Sequence, residues 1–157
     1  MSRKKRKIQS RKIEPDIKYN SVEVQMFVNK LMMKGKKNLA SRILYNALEE
    51  AAEKTKIPPF EVFSTAMKNV RPILEVRARR VGGATYQVPM EVTPNRSLDL
   101  AMRWMIGFSR TRKGKAMSSK LADEFMSAVK NDGASVKKKE ETHRMAEANR
   151  AFAHYNW

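Results

Sequence analysis

Apolar residues recur along most of this chain with the period of a helix. Val24, Phe27, Val28 and Leu31 fall at i, i+3, i+4 and i+7, the spacing of one buried helical face. Ser21 before them is a good N-cap, so a first helix is expected there, with Gly35 stopping it. Ala40, Ile43, Leu44, Ala47, Leu48 and Ala51 predict a second helix over about 37–54. Glu49, Glu50 and Glu53 near its end read as a solvated face. Pro58-Pro59 opens a third helix, because proline suits a first helical turn, and Phe60, Phe63, Met67 and Val70 form its stripe. Pro72 ends it. Thr93-Pro94 opens a fourth, with Leu98, Ala101, Met102 and Met105 on one side. A fifth, over about 116–130, buries Met117, Leu121, Phe125 and Ala128, with Gly133 as its stop. A sixth starts near Ser135 and carries Ala148, Ala151, Phe152 and Tyr155 as its apolar stripe.

The period changes to that of strands between residues 74 and 92. Val76, Val81, Tyr86, Val88 and Val92 favour extended backbone, and Gly82-Gly83 between them accept the positive φ angles of a tight turn. An odd number of loop residues would place Leu74, Val76 and Ala78 on one face with Ala84, Tyr86, Val88 and Met90. Arg77 and Arg79 would then occupy a separate polar face; an even turn would mix arginine with the apolar side. The odd turn is expected. Pro89 marks the second strand as an edge. The fold class is therefore mainly α: about six helices, one protruding β-hairpin at about 73–92, and a disordered basic tail. The tail is set at 1–18 and a single domain at 19–157.

Charge narrows the function. Lys and Arg number 33 against 16 Asp and Glu, a net +17. Self-repulsion at that charge opposes compactness unless a polyanion neutralises it. The tail alone carries Arg3, Lys4, Lys5, Arg6, Lys7, Arg11 and Lys12 before the first acid, Glu14. Lys34, Lys36 and Lys37 form a basic turn, Arg71 precedes Pro72, and Arg96, Arg103 and Arg110 recur every seven residues. Arg112, Lys113 and Lys115 crowd the following loop, and Arg77, Arg79 and Arg80 stud the hairpin. Any one of these is an ordinary solvated face. Together they point to RNA, with phosphate contacts supplying affinity and register. Duplex RNA hides its bases in a deep, narrow groove, so a helical body with an arm suits a folded junction. No helix-turn-helix pair stands out. Two other classes remain open: a DNA-binding regulator or nucleoid protein, and a membrane-surface protein. The sixth helix is too rich in alanine to suit the second.

Other chemistry is poorly supported. The chain has no cysteine, which removes disulfides and thiolate metal sites. No apolar run is long enough to span a membrane, and no apolar stretch follows the basic start as in a secretory signal. A cytoplasmic protein is the simplest reading. On one predicted helix His143 and His154 would lie about 16 Å apart, too far to share a metal; both read as surface or RNA-facing. Gly35-Lys36-Lys37 lacks the other parts of a phosphate loop, and no nucleophile–base pair follows from spacing. No enzyme activity, metal or cofactor is expected.

Several stretches are more specific. They are Met33-Lys-Gly-Lys-Lys37, Asn69-Val-Arg-Pro72, Arg80-Val-Gly-Gly-Ala-Thr-Tyr-Gln-Val-Pro89, Arg103-Trp104 and Met145-Ala-Glu-Ala-Asn-Arg-Ala-Phe-Ala-His-Tyr-Asn-Trp157. In these the chain resembles, from end to end, the family of small-subunit ribosomal protein seven, bacterial type. That resemblance implies a helical bundle with an extended hairpin that binds the 3′ major domain of small-subunit rRNA and helps it assemble into the head. It implies that the basic residues named above in the tail, the first turn, the fourth helix and its loop lie on rRNA. It further implies that Arg77, Arg79, Arg80, Gly82, Gly83 and Tyr86 of the hairpin lie near exit-site tRNA and the mRNA path. Arg144, Tyr155 and Trp157 of the C-terminal segment belong to the same vicinity, with small-subunit protein eleven as a neighbour.

Overall fold

A computed structural model describes residues 12–155. Six α-helices and one two-stranded antiparallel sheet follow in the order α1 (Val22–Leu31), α2 (Lys37–Thr55), α3 (Pro59–Val70), β1 (Leu74–Val81), β2 (Ala84–Glu91), α4 (Pro94–Thr111), α5 (Met117–Val129) and α6 (Ala134–Ala148). A 3-10 helix, Arg150–Tyr155, closes the described chain. The mainly helical fold with a single hairpin is the expected one.

Each helix begins or ends for a local reason. Ser21 caps α1, its side chain accepting from the Val24 amide. That helix stops at Leu31, earlier than Gly35; Lys34 and Gly35 both take positive φ and reverse the chain toward α2. Pro59 starts α3 and Pro94 starts α4, where the missing N–H costs nothing. Helix α5 lies at the centre, packed against α2, α3 and α4. Phe27, Phe63 and Phe125 meet there with ring centroids 5.7–6.0 Å apart, all essentially inaccessible. Such tilted and edge contacts add to the area each ring buries. Phe60 departs from the expected α3 stripe: Val62 and Ala66 are buried in its place, and Phe60 is half-exposed, stacked on Tyr19 at 6.3 Å.

A charged residue also sits in the core. Glu124 of α5 is wholly buried. Its Oε1 accepts from the Ser135 amide (3.0 Å) and hydroxyl (2.6 Å), and its Oε2 accepts from Arg112 at 2.6 Å. One carboxylate thus satisfies the start of α6 and pins the loop before α5. Gly133 belongs to this join and is not the stop of α5, which ends at Val129. Gly133 precedes α6 with φ +98°, and a Cβ there would meet Ser127 at 2.8 Å.

The hairpin register overturns the odd-turn expectation. Val81 pairs with Ala84, leaving a two-residue loop of Gly82 and Gly83. Their φ values, +57° and +89°, are those of the primed turn that matches strand twist. Arg77 consequently opposes Val88 and Arg79 opposes Tyr86, so arginine shares the face of the apolar residues. The mixed face is tolerated because Glu75, on that same face and buried, holds Arg77 at 2.8 Å. Replacing Gly82 or Gly83 with valine should cost about 1–2 kcal/mol of hairpin stability from backbone alone, since a Cβ at either position meets nothing within 4 Å. Faster amide exchange confined to β1 and β2 would show it.

The C-terminus also differs from expectation. The sixth helix ends at Ala148, and the tighter 3-10 turn follows, so His143 and His154 do not share one helix. Ala148 and Ala151 are exposed; Ser135, Val136, Thr142 and Ala146 are the buried residues of α6. Phe152 and Tyr155 instead pack on Tyr86 of β2, at 5.3 and 5.1 Å between centroids. The half-buried aromatic ring on the hairpin draws them off the helix axis.

Candidate nucleic-acid interface

The basic residues singled out in the sequence separate into three groups. Arg3, Lys4, Lys5, Arg6, Lys7 and Arg11 lie outside the described residues, as does the aromatic candidate Trp157. Lys12, Lys34, Lys36, Lys37, Arg80, Lys113 and Arg144 are exposed and form no ion pair among the described residues. The rest have internal partners.

Those partners build the scaffold. Arg71 bridges the end of α3 to Glu23 of α1 at 2.6 Å, and its Nε is buried without a hydrogen bond. Arg96 of α4 places Nε 2.8 and 2.9 Å from the two oxygens of Glu75, joining α4 to the base of the hairpin. Burial alone would raise the Glu75 carboxyl, but Arg96 and Arg77 outweigh it and hold it below its ordinary value. Asp99 behaves alike: burial opposes ionisation, while Lys30 and Arg103 favour it and prevail. Arg110 donates to the Leu31 carbonyl at 3.2 Å, tying the last turn of α4 to the end of α1. Arg112 is held by Glu124, and Lys115 pairs with Asp123 at 2.7 Å. The seven-residue spacing correctly placed Arg96, Arg103 and Arg110 on one exposed side of α4. It gave no sign of the acids that meet Arg96 and Arg103, or of the carbonyl that holds Arg110.

Two groups near the arm were not singled out as supports. His143 is not a free surface side chain. Its Nε2 accepts from the Ile73 amide at 2.9 Å and so anchors the hairpin base to α6. Burial, with Lys139 adding to it, pushes the imidazole below its ordinary value. The neutral form makes this bond, so its contribution is complete above about pH 6.5 and erodes as pH falls, because the unfolded chain takes the proton first. The protection factor of the Ile73 amide, corrected for the intrinsic pH dependence of exchange, should therefore fall between pH 7.5 and 5.5 in wild type and lose that fall in His143→Gln. Phe152 is the second support, completing the cluster with Tyr86 and Tyr155. The structure thus brings together Tyr86 and Tyr155, while Arg80 and Gly82-Gly83 project at the arm's far end.

Upstream, Asp16 anchors the chain to the body. It is buried, its Oδ2 accepts from the Lys18 and Tyr19 amides at 3.0 Å, and its Oδ1 accepts from the Tyr45 hydroxyl at 2.5 Å. Burial and this bond push the Tyr45 phenol up to about 12.

No cluster of His, Cys, Asp and Glu among the described residues could hold a metal ion, and no helix there is long and apolar enough to cross a membrane. The class defined by this architecture is a small cationic helical scaffold with one projecting ribbon. The chain belongs to the family described as Ribosomal protein S7p/S5e, whose model matches residues 2–150. It is 58% identical over 147 residues to the small ribosomal subunit protein uS7 of Natranaerobius thermophilus, covering 94% of each chain. It is 56% identical over 157 residues to the uS7 of Gloeothece citriformis, covering all of both chains. The uS7 of Synechocystis sp. is 57% identical over 150 residues, 96% of each. The family is one of structural proteins, not enzymes.

Proposed function

We propose that this chain is a structural constituent of the small ribosomal subunit that binds small-subunit rRNA directly. Its RNA site is the 3′ major domain, and binding nucleates assembly of the head. The observation that carries this reading is the family match across almost the whole chain. The geometry supports it: exposed cations at Lys34, Lys36, Lys37 and Lys113 lack acidic partners among the described residues, which suits them to phosphate. Internally paired arginines hold the helices that present them.

The hairpin is the part that faces exit-site tRNA and the mRNA path, beside neighbouring small-subunit proteins that include protein eleven. Arg80 is its best probe, because it is exposed and lies on the opposite face from Glu75. Arg80→Glu should change stability by less than about 0.5 kcal/mol yet weaken tRNA retention at the exit site in reconstituted subunits. Arg77→Glu is a poorer test, since it would set a second carboxylate against Glu75. Unaltered tRNA retention in Arg80→Glu would remove the arm from the exit site.

The direct test of the main reading is competition binding in moderate salt. Labelled 3′ major-domain rRNA is bound, then challenged with excess tRNA or duplex DNA. Retention of the ribosomal fragment is expected. Equal displacement by either competitor would reduce the chain to a nonspecific polyanion binder and favour the DNA-binding class.

A further inference from the structure

We infer that the groove between residues 12–17, α1 and α2 is a site for one unpaired nucleotide of the bound RNA, its base read by side-chain amides. This rests on the RNA-binding reading and adds a ligand class and a mode of recognition. The groove has a volume of about 590 Å³, within the range of sites that take a small ligand. Gln25, Asn29, Asn38 and Ser41 converge there with Lys12 and Lys37.

Gln25 is the telling residue. It is 8% exposed, an amide on a helix whose other buried positions are Val24, Phe27, Val28 and Leu31. Its Nε2 donates to Asn29 Oδ1 at 3.0 Å. That bond uses one donor and one acceptor. The Gln25 carbonyl and the Asn29 amino group are left without a partner among the described residues, as are the side chains of Asn38 and Ser41. Neither the Gln25 carbonyl nor the Asn29 amino group is sealed from solvent, since among the described residues only the Tyr19 hydroxyl and Arg71 Nε are fully buried without a partner, so both stay open to a ligand that enters the groove. A free acceptor beside a free donor is the complement of a nucleobase edge, as with Asn or Gln on the N6–H and N7 of adenine. Only unpaired bases in RNA offer such edges to a globular protein.

Charge in the groove fits an anion attached to that base. Asp16 lines it, but both carboxylate oxygens are already taken by the Tyr45 hydroxyl and two backbone amides, so it serves as wall. Glu14 is the remaining acid, against the two cations Lys12 and Lys37. Helix α2 also starts here with no side-chain cap, which leaves first-turn amides for a phosphate oxygen.

The test compares full-length wild type with Asn29→Ala/Asn38→Ala and with Lys37→Gln. Both asparagines are exposed, so the double variant keeps the core, and thermal unfolding verifies this. Affinity for 3′ major-domain rRNA is measured across salt concentrations, with base-edge chemical probing of each complex. The double variant should bind about tenfold more weakly with an unchanged salt slope. One unpaired base protected by wild type should regain reactivity. Lys37→Gln should instead shift the slope by about 0.7–0.9. If wild type binds selectively while the double variant matches its affinity and footprint, the groove reads no base and the inference fails alone. A loss of affinity with no base re-exposed would overturn it equally, leaving a phosphate contact. If wild type shows no selectivity for the fragment, the RNA reading fails first.

Discussion

Glu124→Ala should cost about 3–5 kcal/mol of stability, the scale expected when one member of a buried charge network is removed. Glu124 is fully buried, and its three hydrogen bonds join the loop before α5 and the start of α6 to the middle of α5. Without it the Ser135 amide and hydroxyl, both buried, lose their acceptor. Arg112, about one-third exposed, recovers part of its hydration, which places the loss toward the lower end. Glu124→Gln keeps a carbonyl for the two Ser135 donors but loses the acceptor of Arg112, and should fall between. Urea unfolding measures both, and a loss under about 1 kcal/mol for alanine would show that water replaces the network. The effect reaches the cationic loop before α5, because Arg112 fixes the segment that carries Lys113 and Lys115.

Deleting residues 2–11 should weaken rRNA binding more than any single substitution. The deletion removes six cations, Arg3, Lys4, Lys5, Arg6, Lys7 and Arg11, and retains Lys12 in the groove. Each lost phosphate contact takes about 0.7–0.9 from the slope of log affinity against log salt, so full engagement predicts a slope shallower by about 4–5. Filter binding between 50 and 200 mM salt reads this directly. An unchanged slope would show that the tail contributes no phosphate contacts. The folded body should be indifferent to the deletion, since its first buried anchor is Asp16.

Most of the fold was legible because the helices bury regular stripes. Val24, Phe27, Val28 and Leu31 needed no partner to be recognised as one face, and Pro59 and Pro94 marked helix starts by their chemistry. The hairpin was legible for similar reasons, from Gly82-Gly83 and the flanking valines. Its register was not. Polar-looking arginines suggested a solvent face, and only the buried position of Glu75 explains why Arg77 can share a face with Val88. The interface was half-legible. Clusters of cations are visible in a sequence, but part of their neutralisation depends on acids distant in the chain, such as Glu124 for Arg112 and Glu23 for Arg71, 12 and 48 residues away. The amide groove has no periodic signature at all. Gln25 reads as an ordinary polar residue until α2 and residues 12–17 close over it.

The dependence of the arm on Phe152 and Tyr155 has a temporal side. Translation delivers β2 about sixty residues before Phe152, an interval of about 3–12 s at ordinary elongation rates. During that time the ribbon exists without its buttress, since the Ile73–His143 anchor also comes from the late-made helix. A nascent chain can therefore complete the packing of α1–α5 and tie the hairpin base to α4 through Arg96 and Glu75 before the aromatic support exists. The outer half of the arm gains its packing only when the final turn arrives, so the last residues made are the ones that steady the ribbon.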